Sequence, residues 1–499
     1  LDIRPPIARL LTALAALLFV AIGSVGIAAQ GAYYDELHQA TASFCWLSRD
    51  TGLFARGEVL GVPLFNMTYS GAIKSHLFGA WLWLSGEPFS LLGWRWFGLS
   101  MGAAGILALG TMLATCVPWR RLAVVLALLT TDATLLVACR NDWGPVAMAF
   151  SLRCLLLGLC LRPVGRRPLA SALLCGFLLG VAIYEKLSSL VVVAPVLLLW
   201  SADPMRRSWR QWAAMMVGGA IGAAPVILWN LQWLLTVGKL ASLGQTGEPA
   251  VHELATLGAL LAEVAVMPQG GAVQQFVLGS AVPAWREWLE AGCLVVAVAA
   301  AVRGGAPRAR WLALGGLLVC LGLWLLPSRT GVHHWVLATP WWYLAAAAGL
   351  VAGARVLQAV VAIWLLLRVV SLVALLSTLA TGPAQTRWSP ELHRIMAFAA
   401  TTTANDVFVA GDWGVATQIA CATQGRTGAV VESFRDGRLP ALTAAQRVFL
   451  VGLQPASEVA PGAFEALATQ LAAAGWRRDV EPTELQGLTA VQVQTFVRR

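Results

Sequence analysis

Residues 10–38 read LLTALAALLFVAIGSVGIAAQGAYYDELH, and the fold turns on how this stretch is divided. Its first twenty residues, 10–29, carry no charge. An uninterrupted apolar run of about 20 residues is what a helix needs to cross the hydrocarbon core of a bilayer. The run ends at Gln30, and within the next eight residues the chain presents Tyr33, Tyr34, Asp35, Glu36, Leu37 and His38. Two adjacent carboxylates and an imidazole thus stand where the first helix should leave the membrane. In a chain with 58% hydrophobic and only 12% charged residues, a carboxylate pair at that place carries information.

Working outward, the same pattern repeats. Mean hydropathy is +0.71, there are 23 Trp, and apolar runs recur near 10–30, 91–117, 122–138, 144–161, 169–183, 187–201, 212–230, 286–302, 311–326, 335–352 and 356–380. The expected class is a polytopic α-helical membrane protein of about eleven spans. The first run is longer than a signal-peptide apolar region and reads as a first anchor. The net charge of +10 is spread over short loops rather than gathered on one soluble face, which argues against nucleic acid as partner. Alternate loops hold Arg4 and Arg9; Arg120 and Arg121; Arg162, Arg166 and Arg167; Arg206, Arg207 and Arg210; Arg303, Arg308 and Arg310; and Arg355. By the positive-inside rule these face the cytoplasm, so the N-terminus is expected inside and the C-terminus outside a bacterial inner membrane.

The opposite loops are longer and hold nearly all the carboxylates. Loop 31–89 should contribute two interfacial helices, 39–54 and 71–84, the second carrying Trp81 and Trp83 at headgroup depth. Loop 231–285 has Gly-rich tips at 244–247 and 269–271. After residue 382 short apolar runs alternate with polar residues, giving strands at 406–410, 429–434, 447–451 and 491–497 and helices at 414–424 and 461–475. The chain is therefore divided into a membrane part, 1–382, and a small extracytoplasmic α/β domain, 383–499. Most of the nine Cys lie in spans; Cys45 and Cys421 do not, and could pair in an oxidising compartment. No Cys/His spacing of metal-binding type appears, and no metal or cofactor is expected.

Several polar residues have two readings. Asp35 and Glu36 are either a solvated helix terminus or a general base at the membrane surface. Lys74, in the turn Tyr69-Ser70-Gly71-Ala72-Ile73-Lys74, is either a snorkelling side chain or a cation brought to a phosphate. Asp142, before Gly144 and Pro145, is a helix cap, a site residue or both. Glu185 and Lys186 interrupt two apolar runs, as a hairpin tip would. Arg329, His333 and His334 are an anchor belt or phosphate ligands. Arg153 and Arg368 lie mid-span and should face the bundle interior, since a lipid-facing Arg there costs about 2.5–3.5 kcal/mol or more.

The stretch Tyr34-Asp35-Glu36-Leu37-His38 resembles the aromatic-Asp-Glu-x-His signature in the first outer loop of protein O-mannosyltransferases, which are GT-C glycosyltransferases of the family 39 type. Their relatives include the aminoarabinose transferases of lipid A. The turn ending at Lys74 stands where those mannosyltransferases have His-Pro-Pro-x-x-Lys; Tyr69, Ser70 and Gly71 replace the His-Pro-Pro, so only the Lys matches. Residues 179–189, 225–230 and 334–340 resemble three further stretches of the bacterial branch. The resemblance covers about residues 10–380 and leaves the tail unmatched. It implies transfer of a sugar from a polyprenyl-phosphate donor to an acceptor hydroxyl, with inversion at the anomeric carbon. In that reading Asp35 is the catalytic base. Lys74, with Arg329, His333 or His334, meets the departing phosphate, and Glu36 or Asp142 orients the acceptor, with His38, Tyr69, Glu185 and Lys186 in support. A lipid-linked substrate transporter and a non-catalytic assembly protein are the competing readings. The first is disfavoured because the two halves show no inverted repeat.

Overall fold

The computed structural model describes residues 4–49, 56–59, 61–243, 258, 270–280, 282–304, 307–326, 331–350, 355–381, 386–435, 437–442 and 445–498. Arg329 and the loop tips expected at 244–247 and at Gln269 lie outside the described residues.

The apolar runs form helices. Four of those described are long and apolar enough to cross a membrane: Pro5–Gly23, Leu91–Leu113, Pro168–Glu185 and Arg355–Thr381. Two bent pairs, Trp119–Thr130 with Ala133–Asn141 and Trp209–Gly222 with Ala224–Val237, bring the number to six. Helices or helical turns also occupy the other expected positions, among them Val146–Leu161, Val193–Ser201, Ala284–Arg303 and Thr339–Ala348, without passing the same test.

Both bends have local causes. At the first, of 55°, Asp132 accepts from the Leu135 amide at 2.8 Å and so caps a new helix in mid-course. At the second, of 66°, Pro225 has no N–H, and its ring would clash with the carbonyl four residues earlier, which ends the preceding helix. Close helix packing elsewhere comes from small residues. Gly176 and Gly180 of one helix face Gly218, Gly219 and Gly222 of the next, and a Cβ at Gly176, Gly180, Gly218 or Gly222 would collide with backbone of the opposing helix.

The 31–89 region differs from expectation. An interfacial helix was expected at 39–54; of that stretch residues 39–49 are described, and they do not form one. The 3₁₀ segment Ala40–Leu47 buries Ala40 through Phe44 under the helix Ile73–Ser85 and the chain's own tail. Ile73–Ser85 is the expected second helix, with Trp83 60% exposed on its rim. Between them lies an unexpected antiparallel ribbon: β1 (Arg56–Val59), β2 (Val62–Met67) and β3 (Ser70–Gly71). Gly61 supplies the positive φ, 76°, that its turn requires.

The tail holds a five-stranded sheet in the order β5-β4-β6-β8-β7, formed by β4 (Asp406–Ala410), β5 (Val430–Glu432), β6 (Arg447–Leu453), β7 (Trp476–Asp479) and β8 (Val491–Arg498). β4 runs parallel to β5 and β6, while β8 is antiparallel to β6 and β7. Strand alternation buries Phe408, Ala410, Phe449 and Val451 on one face and Val409, Val448 and Leu450 on the other. The sheet is locked to the first loop. Gln418 donates to the Ala32 carbonyl at 2.8 Å, the Phe89 amide donates to Gln424 at 2.7 Å, and Cys421 packs with Leu37, Phe44, Phe78 and Trp94. Cys45 and Cys421 are both free thiols, so the pairing considered above is not made.

Candidate active site

The chain leaves the first span through a segment whose carbonyls are held by two buried guanidinium groups. Arg95 donates to the carbonyls of Ile27 at 2.7 Å, Gln30 at 2.9 Å and Gly31 at 3.0 Å. Arg140 donates to Val25 at 2.9 Å and to the Gln30 side chain at 2.6 Å. The short helix Tyr34–Leu37 follows with its acids in the first turn, where the helix dipole favours them.

Adjacent in sequence, Asp35 and Glu36 point to different surroundings. Glu36 is completely buried, and its carboxylate is gripped by Arg95, Nε to Oε1 at 2.7 Å and Nη2 to Oε2 at 2.9 Å. Expected as a catalytic or acceptor-orienting acid, Glu36 instead closes an ion pair that ties the loop to the helix Leu91–Leu113. Asp35 is different: its side chain is 33% exposed, and burial of its surroundings pushes it up to about 6. The Tyr33 phenol lies between Asp35 and Arg387, and hydrogen bonding to it opposes that rise. Tyr33 itself stacks on Trp388, centroids 4.2 Å apart.

Lys74 was expected to face a phosphate. It is fully buried; its ammonium bonds Asp142 and lies 3.7 Å from the centre of the Trp94 ring. Asp142 accepts in addition from the amides of Val146 at 2.8 Å and Ala147 at 3.0 Å, and adopts a left-handed backbone, φ 43°. That conformation is strained for a residue with a side chain. Asp142 is therefore a cap and an ion-pair partner at once. Glu185 is likewise buried and caps the helix Ile73–Ser85 from outside it, accepting from the Ile73 amide at 3.0 Å.

Lys186 takes the place that Lys74 leaves. The Leu187 amide donates to the Tyr69 carbonyl at 3.0 Å and Lys186 bridges to Ser70, which ties this residue to the 31–89 loop. No hydrogen bond or ion pair holds its ammonium among the described residues; it feels Asp142 and Asp35, and burial lowers it to about 8. His333 and His334 are close to it, rings 4.1 Å apart, and burial with the neighbouring cation keeps both neutral. His38 lies 4.0 Å from Asp35; burial lowers it to about 3, so it too is neutral, and the contact is not a charge pair. Tyr69 is 38% exposed.

Asp35, Lys186, Tyr69, His333 and His334 thus lie within electrostatic reach of one another, while Glu36, Lys74, Asp142 and Glu185 are engaged in the frame that supports them. Arg368 lies apart: it donates to the Tyr343 hydroxyl at 2.8 Å, which in turn donates to Asp132 at 2.6 Å, an interior network rather than part of this group. Arg153 is buried in the bundle. Sequence reasoning missed Arg387 and Arg435, which come from the tail to stand within electrostatic reach of Asp35 and Tyr69. Arg387 lies over the Trp413 ring at 5.2 Å, and Arg435 pairs with Glu432 at 3.0 Å, beside the Tyr34 hydroxyl. β4 and β5 end at Ala410 and Glu432, so Trp413 and Arg435 follow the carboxyl ends of two parallel strands, a common ligand position in open α/β sheets. Among the described residues no three His, Cys, Asp or Glu side chains converge as metal ligands.

Its apolar helices mark the chain as an integral membrane protein, and its fold is shared with two solved structures. It superposes along nearly its whole length on ArnT, the aminoarabinose transferase, from Cupriavidus metallidurans. With the apo structure the TM-score is 0.59 at 12% identity, covering 98% of this chain and 97% of the other. With ArnT bound to undecaprenyl phosphate it is 0.56 at 12% identity, covering 97% of each chain. No protein-family model matches the sequence, and no curated protein matches it.

Proposed function

We propose that this protein is a glycosyltransferase of the extracytoplasmic face of the bacterial inner membrane. It moves a sugar from a polyprenyl-phosphate donor to an acceptor hydroxyl. The observation that carries this reading is a partly exposed carboxyl, Asp35, within electrostatic reach of Lys186, whose ammonium has no hydrogen bond or ion pair among the described residues, on a fold that in one ArnT structure binds undecaprenyl phosphate. The tail, 383–499, is read as an extracytoplasmic domain that adds Arg387 and Arg435 to the site.

In the proposed step Asp35 takes the proton of the acceptor hydroxyl as its oxygen attacks the anomeric carbon from the face opposite the phosphate. The bond from that carbon to the phosphate oxygen breaks, its electron pair leaves with the phosphate, and configuration inverts. Lys186 neutralises the charge that grows on the leaving group, as preorganised cations do. Glu36 and Arg95 hold the loop, and Lys74 with Asp142 fix the first turn of the neighbouring helix. The test is transfer from a panel of radiolabelled polyprenyl-phosphate sugars by Asp35→Asn in membranes. Removal of a general base should cost about 10²–10⁴-fold in kcat. Transfer within threefold of the unaltered protein would exclude this mechanism.

A further inference from the structure

The helices Val146–Leu161 and Pro168–Glu185 are joined by a turn that holds Arg162, Arg166 and Arg167. Glu185 and Lys186 lie at the other end of the second helix, about 25 Å away along its axis. A cavity of about 300 Å³ opens beside the turn, lined by these three Arg with Trp200, Arg206 and Gln211, and by no Asp or Glu. Arg206, 3% exposed, is already engaged. Its guanidinium donates to the carbonyls of Leu159, at 3.0 Å, and Arg162, lies 4.3 Å from the centre of the Trp200 ring, and has Asp203 3.5 Å from Nε. It thereby covers the negative end of Val146–Leu161, while Pro168–Glu185 and Trp209–Gly222 begin at the cavity and turn their positive ends to it.

Arg162, Arg166 and Arg167 are exposed and make no ion pair among the described residues, so their charge is left for a ligand. Two buried polar atoms of the lining also lack a partner among the described residues: the Trp200 indole N–H and Gln211 Oε1. Gln211 Nε2 donates to the Met205 carbonyl at 3.1 Å, which fixes Oε1 as the free acceptor. Buried groups of this kind are costly to leave unmatched. Next in sequence to the lining, Leu169, Met205 and Trp209 are exposed apolar side chains, as a rim at headgroup depth requires.

We infer that this cavity holds the headgroup of an anionic glycerophospholipid. Its phosphate diester lies among Arg162, Arg166 and Arg167, with the Trp200 N–H as a further donor, and a headgroup hydroxyl donates to Gln211. A free phosphate ester would meet the same cations but leave the apolar rim uncovered. The site belongs to the leaflet opposite Asp35 and does not depend on the proposed sugar transfer.

The test is titration of the full chain in detergent, read by native mass spectrometry. The probes are phosphatidylglycerol, phosphatidylmethanol (the same charge without headgroup hydroxyls), phosphatidylcholine and glycerol phosphate. Phosphatidylglycerol should bind at least about tenfold tighter than phosphatidylcholine, and replacing Arg162, Arg166 and Arg167 together by Gln should lose at least about tenfold of that affinity. Removing as much charge from another exposed Arg-rich loop, by Arg303→Gln, Arg308→Gln and Arg310→Gln, should change it by less than about threefold. Phosphatidylglycerol should also exceed phosphatidylmethanol by at least about threefold, and Gln211→Leu should erase that difference. Equal affinity for phosphatidylglycerol and phosphatidylcholine would overturn the site. So would an equal loss from both triple variants, because the lipid would then answer to the charge of the whole face. Displacement of the lipid by glycerol phosphate at the same concentration would overturn a lipid as the occupant, and equal binding of the two anionic lipids would overturn the hydroxyl contact.

Discussion

Asp35 and Lys186 set opposite ends of a pH profile. As the proposed base Asp35 would act only when ionised, so activity should rise through about pH 6. Lys186 serves a phosphate only when protonated, so activity should fall above about pH 8. The kcat/KM profile should be a bell with its maximum near pH 7, and Lys186→Gln should lower its height and erase the alkaline limb. Tyr33→Phe removes a hydrogen bond that favours the Asp35 carboxylate. Its acid limb should therefore move upward from about 6, whereas a residue with a purely structural role would leave that limb in place. Glu36 makes a different prediction. Arg95→Met leaves its carboxylate buried without a partner, a loss of about 3–5 kcal/mol, read as a lowered melting temperature in detergent. Adding Glu36→Gln should restore part of the loss, the remainder coming from the carbonyls of Ile27, Gln30 and Gly31 that Arg95 no longer holds.

Adjacent positions 35 and 36 also mark how far the sequence could be read. Asp35 was legible because scarce carboxylates at a span exit are conspicuous. The role of Glu36 was hidden because its partner, Arg95, lies 59 residues away inside an apolar run. Lys74 and Lys186 could not be ranked from sequence, since the difference between them is where Asp142 points.

At the level of elements, the apolar periodicity read the helices well, while the breaks within them were harder to see. Asp132 and Pro225 bend two of them for reasons visible only once the cap and the lost hydrogen bond are considered. The ribbon β1–β3 was missed because its strands are short and one of them is a single pair of residues. β7 was missed because Arg477, Arg478 and Asp479 make it polar, as an edge strand tolerates. The glycine faces make a direct prediction at this scale. Gly180→Leu must push the helix Pro168–Glu185 away from Trp209–Gly222. Since Glu185 and Lys186 stand at the end of that helix, folded yield on gel filtration should fall, and the material that survives should have lost activity.

For the molecule as a whole, the tail and the first loop behave as one structure. Tyr33 stacks on Trp388, Gln418 holds Ala32, and Tyr34 donates to Glu432 at 3.3 Å. A chain ending at residue 385 would expose Leu37, Phe44 and Phe78 to water. Such a truncation should insert in the membrane yet lose transfer activity and elute as aggregate, while a protein in which the tail were an independent appendage would keep both activity and a single peak.

The partners of the segment around Asp35 come from residues 95, 140, 379, 388, 418 and 432. A ribosome adds these in order, and the last is made when most of the chain has already entered the bilayer. The loop that emerges first is thus the one completed last. Through most of its synthesis the first loop lacks these partners, and the site proposed on it is complete only after residue 432 has folded back against it.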